Sequence, residues 1–136
     1  MPVEPGTALA KTIERVFTTW FAYEGATQTL RSPRPDPSEL LAACADLRAQ
    51  MPDVDPATGA LPWEMDPDLD PAPPEGPDWA GAAFEVLYEV HVLDRATSLT
   101  SQAYHLLELG NAIGSLSSWH PDYDDDHGQI VARTDR

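Results

Sequence analysis

AAFEVLYEVHVLDRATSLTSQAYHLLEL, residues 82–109, contains neither glycine nor proline. Phe84, Val86, Tyr88, Val90 and Val92 alternate with Glu85, Glu89 and His91, as in a half-buried strand. Leu87 and Leu93 break that alternation, and 28 residues without a breaker is long for a strand. The stretch therefore reads as helix. Thr97, Ser98, Thr100 and Ser101 mark a weak point where two helices can meet. Beyond it Leu99, Ala103, Leu106 and Leu107 form a helical stripe. Asp78 is the expected cap at the start, and Gly110-Asn111 the expected C-cap pair. A further turn around Ile113 to Trp119 ends before His120-Pro121, and the acidic tail from Asp122 to Arg136 reads as frayed.

Working back toward the N-terminus, Leu9, Ile13, Val16, Phe17, Trp20 and Phe21 recur on one face of a helix over residues 8–24, with Thr7 as N-cap. Ser32-Pro33-Arg34-Pro35 cannot continue it. Asp36-Pro37-Ser38-Glu39 then places an acceptor at N-cap, proline at N1 and glutamate at N3. Leu40, Cys44, Leu47 and Met51 follow at helical spacing, up to Pro52. Residues 8–51 are thus expected to form an antiparallel helical hairpin.

Residues 52–77 carry eight prolines and no base. No regular helix or sheet is expected there, so the segment reads as an acidic linker or an extended strap. Leu61, Trp63 and Met65 alternate, and an extended chain would point them to one side. The fold class expected is mainly α. It is a single domain over residues 1–136, a small three- or four-helix bundle with an extended Pro/Asp-rich segment between the second and third helices. The long or broken C-terminal helix covers 78–119.

Charge is distributed unevenly. Of a net charge of −15, residues 49–136 hold −14. Salt adaptation would spread acidity evenly. A one-sided field raises affinity and on-rate for a cationic partner. With only eight Lys and Arg, direct binding to nucleic acid or to anionic membranes is not expected. No apolar run approaches the ~20 residues of a membrane span, and no signal peptide is seen. A cytoplasmic location is expected. The lone Cys44 excludes an internal disulfide and, on the stripe of the second helix, reads as a core residue.

Candidate chemistry is sparse. Asp66, Asp68 and Asp70 resemble the start of a calcium loop, but Pro71 and Pro77 stand where glycine and a bidentate glutamate are required. Asp122, Asp124 and Asp126 fail likewise at His127 and Arg133. His120, Asp122, Asp124, Asp125, Asp126 and His127 have the residue types of a divalent-metal site, though all come from one segment. Gly114-Ser115-Leu116-Ser117-Ser118 lacks the closing glycine of a nucleophile elbow. His91 and His105 are expected to pack at the core edge. There is no Gly-rich phosphate loop, CxxC pair or HExxH motif.

No catalytic residue, metal ligand or cofactor is expected. The expected function is a non-enzymatic acidic interaction module (an inhibitor, immunity protein or adaptor) that binds a basic protein surface. Trp63 and Met65 would be apolar anchors. Asp66, Asp68, Asp70, Glu85 and Glu89 would supply charge. The opposing reading docks Trp63 back onto its own helices. A nucleic-acid mimic, such as a phage anti-defence protein, is one alternative. A metal protein or enzyme using the His/Asp cluster is another. The long amphipathic element leaves a homodimer open.

Overall fold

Helix periodicity governs the chain, which is mainly α-helical. The structure, a computed structural model, describes residues 3–4, 6–28, 37–66 and 68–131, without the side chains of 24–28. The Asp36 cap, the 32–35 loop and the tail from residue 132 lie outside the described residues.

α1 spans Ala8–Gln28. Thr7 Oγ1 accepts from Ala10 N at 3.2 Å, as the capping pattern predicts. The helix outruns its predicted end, because one helical glycine, Gly25, costs only about 1 kcal/mol. Ile13, Val16 and Trp20 are buried, whereas Phe21 is exposed. α2 spans Ser38–Ala49 and buries Leu40, Ala43, Cys44 and Leu47. Gln50 Nε2 donates to Thr12 Oγ1 at 2.7 Å, and Arg15 pairs with Asp46. The beginning of α1 therefore lies against the end of α2, and the two are antiparallel.

α3 is a single turn, Pro62–Met65. Proline suits its first position, and Glu64 Oε1 accepts from Leu61 N at 3.0 Å. This turn corrects the extended reading of Leu61, Trp63 and Met65. Residues two apart on a helix face opposite ways, so Trp63 is buried while Met65 is 50% exposed, and Leu61, at the extended N-cap, is buried as well.

α4, Asp78–Arg95, resolves the helix-or-strand ambiguity. It buries Ala80, Ala83, Phe84 and Leu87 at i, i+3, i+4 and i+7 spacing. Asp78 is its first residue rather than its cap, where a carboxylate favours the helix dipole. The expected break is present. α5 spans Leu99–Ser117, and Ser98 Oγ accepts from Ser101 N at 3.0 Å.

The Gly110-Asn111 C-cap is corrected, since α5 runs straight through it. The glycine serves packing instead. A Cβ at Gly110 would meet Trp20 Cζ2 at 3.1 Å. The tail is corrected over 122–131 as well. Tyr123–Asp124 (β1) pairs antiparallel with Gln129–Ile130 (β2), and Gly128 turns the hairpin at φ +61°.

The four long helices close a ring in which α1 packs on α2 and α5, and α4 on α5 and α2. Glu14 lies near His120, and Trp20 covers Gly110, so α1 and α5 are antiparallel. One apolar cluster joins all four and takes in Leu61 and Trp63. The strap between α2 and α4 returns on itself, and a Cβ at Gly76 would meet Pro52 Cγ at 3.3 Å. Among the described residues no helix is long and apolar enough to cross a membrane.

Candidate functional site

The antiparallel packing of α4 on α5 sets Glu85 and Glu89, one helical turn apart, opposite Glu108. These carboxylates border a groove of about 300 Å³ whose apolar wall is Phe84 and Tyr88. The two rings stack with centroids 6.0 Å apart and planes 14° from parallel. Among the described residues no Lys or Arg lines the groove. Glu89 Oε2 accepts from His105 Nδ1 at 3.0 Å, which places the Nδ1 proton on that imidazole. Among the described residues Glu85 and Glu108 make no hydrogen bond or ion pair. The groove therefore presents carboxylates on rigid helices beside an aromatic wall. It suits an ammonium or a guanidinium, which pairs with the former and packs on the latter.

The other residues singled out from the sequence fall elsewhere. Trp63 is a core side chain of its own protein, 9% exposed. Its indole meets Phe84, Tyr88 and His91 edge-on, with centroids 6.3, 6.0 and 4.8 Å away. Met65, Asp66, Asp68 and Asp70 stay on the exposed strap. Asp66 is partly engaged in shaping it, since Oδ1 accepts from Asp68 N at 3.0 Å. The structure thus brings Glu85 and Glu89 together with Glu108, and separates them from the strap acids.

A clamp holds the strap down. Glu64 pairs with Arg48. Burial alone would raise the Glu64 carboxyl, but hydrogen bonds from Arg48 and the Leu61 N–H outweigh it, and the pKa falls below its usual range. His91 Nδ1 accepts from Arg95 at 2.8 Å. Burial first, then the Arg95 charge, depresses the His91 pKa and keeps the ring neutral.

Cys44 is buried, and burial pushes its thiol up to about 12. That is a packing residue, not a nucleophile. At the C-terminal hairpin His127 Nδ1 donates to Asp124 Oδ2 at 2.6 Å, which lowers the Asp124 carboxyl. His120 is buried, and its Nδ1 accepts from Asp122 N at 3.0 Å. Among the described residues no group of three or more His, Cys, Asp or Glu is placed to hold a metal ion.

Phe84, Tyr88 and Glu108 join the site through tertiary packing. Their sequence signal is helical register: Glu85 and Glu89 at i, i+4 on one helix, and Glu108 on the next. Compared with known proteins, the chain matches no family model, and neither a curated protein nor a solved structure matches it significantly.

Proposed function

We propose that the protein is a non-catalytic interaction module that captures a basic surface of a partner protein in the α4–α5 groove. The observation that carries this reading is the Glu85, Glu89 and Glu108 set on rigid helices, with no Lys or Arg lining the groove among the described residues. The surrounding charge of −14 on residues 49–136 steers the partner in, and the groove gives it a fixed seat. Inhibitor, immunity protein and adaptor are forms this activity takes.

Nucleic-acid mimicry is the narrower second reading, favoured by the helical placement of these three carboxylates. It requires that duplex DNA or RNA compete for the same partner.

The test is titration calorimetry with an oligo-arginine peptide at low salt. Replacing Glu85, Glu89 and Glu108 together by glutamine is expected to weaken binding roughly ten-fold or more, since each exposed pair contributes up to about 1 kcal/mol. Replacing Asp66, Asp68 and Asp70 by asparagine should weaken it less. Unchanged affinity in the glutamine variant would refute the assignment.

A further inference from the structure

The α4–α5 groove does not end at its carboxylates. Tyr104 precedes Glu108 by one turn of α5, and Leu107 is its neighbour. Tyr104 is 58% exposed, Leu107 65% and Leu99 76%. Leu99, Ala103 and Leu107 follow one another at i, i+4 and i+8, a stripe roughly 12 Å long at 1.5 Å per residue. His105 ties the two regions together. It bonds Glu89, and its ring meets Tyr104 edge-on with centroids 5.1 Å apart. Residues 96–107 contain no Asp, Glu, Lys or Arg, an uncharged strip within the acidic part of the chain. Leu106 packs partly buried against the core, and the fully buried side chains of α5 begin at Leu109. The first turns thus hold large apolar side chains in water beside a carboxylate groove.

We infer that this composite face binds one amphipathic, basic helix of a partner protein, with leucine-type side chains on Tyr104 and Leu107 and Lys or Arg in the Glu85–Glu89–Glu108 groove. The inference rests on the proposed function and specifies its partner. Charge complementarity selects this occupant over a second copy of the chain. A two-fold pairing of strip on strip brings the flanking carboxylates of both copies together, which repels. A helix is the fitting shape, because Tyr104 and Leu107 come just before Glu108 along α5, so an apolar helix face lies on them while long basic side chains flanking it reach the carboxylates at its end.

Two labelled synthetic peptides of identical Leu/Lys composition test it by fluorescence polarisation. One places its leucines on a single helix face, and the other scatters them. The amphipathic peptide is expected to bind at least about ten-fold more tightly, and the Tyr104→Ser, Leu107→Ser double variant is expected to abolish that preference while still binding both. Both positions are exposed, so circular dichroism should show the variant folded. Equal affinities, or a preference that survives the double variant, overturn the inference and leave the basic-partner reading standing. Failure of either peptide to bind overturns both. A dimer in sedimentation that the same double variant abolishes makes a second copy the occupant, and also overturns the inference.

Discussion

Two glycines on α5 separate packing from propensity. Gly110 faces the buried Trp20 ring, whereas a Cβ at Gly114 would meet nothing within 4 Å. Gly114→Ala is therefore expected to stabilise the protein by about 1 kcal/mol, the helix-propensity gain. Gly110→Ala receives the same gain but pushes on an aromatic ring with little room, so a net loss of roughly 1 kcal/mol is expected. Urea denaturation of the two variants checks this, and equal shifts of the same sign would show that Trp20 yields. Trp63→Ala is expected to cost about 3–5 kcal/mol, as for large aromatic truncations in a core. A change of less than 1 kcal/mol would mean that the indole is not the strap's anchor. Gly110 and Trp63 were also the residues hardest to read from sequence. A glycine before asparagine carries the local signature of a C-cap, and the ring that demands it lies 90 positions away at Trp20. An alternating Leu61, Trp63, Met65 fits an extended chain until Pro62 is seen to open a helical turn.

Elements were more legible than their ends. α1 and α2 follow from apolar periodicity, and the gap between α4 and α5 from the Thr97, Ser98, Thr100 and Ser101 run, in which the structure shows Ser98 capping α5. Ser98→Ala should lower stability by about 1 kcal/mol through the lost Oγ bond to Ser101 N. An unchanged thermal midpoint would show that the cap is replaced by solvent. The C-terminal hairpin escaped notice because each strand has two residues, too few for any alternation to register.

The strap behaves as an element through its clamp, and acid should loosen it. His91 and Glu64 both have folded-state pKa values below their ordinary 6.5 and 4.5. In each case the unfolded chain takes up the proton more readily, so stability falls as pH falls. The His91 contribution is complete above about 6.5 and is lost below it, whereas the Glu64 contribution survives until pH drops under about 4.5. The loss in melting temperature between about pH 7.5 and 5.5 should therefore shrink in His91→Gln. A variant that tracks the native protein across that window would show that His91 does not report on the fold.

For the whole molecule, charge asymmetry was plain in the sequence, but its focus was not. The acids clustered most densely in sequence, Asp66–Asp70 and Asp122–Asp126, lie on the strap and on the hairpin. The groove instead assembles Glu85, Glu89 and Glu108 across two helices, an arrangement that only the pairing of α4 with α5 creates. Steering by the general field is long-ranged and screened by salt, whereas a seat on helices adds local contacts that screening affects less. The distinction can be mapped residue by residue. The decisive measurement is amide chemical-shift perturbation in the isotopically labelled protein on titration with the amphipathic Leu/Lys peptide at physiological ionic strength. Shifts concentrated on residues 84–92 and 99–112 are the predicted result. Shifts that instead gather on 66–70 and 122–126, or spread over every exposed carboxylate alike, would contradict a defined α4–α5 binding face.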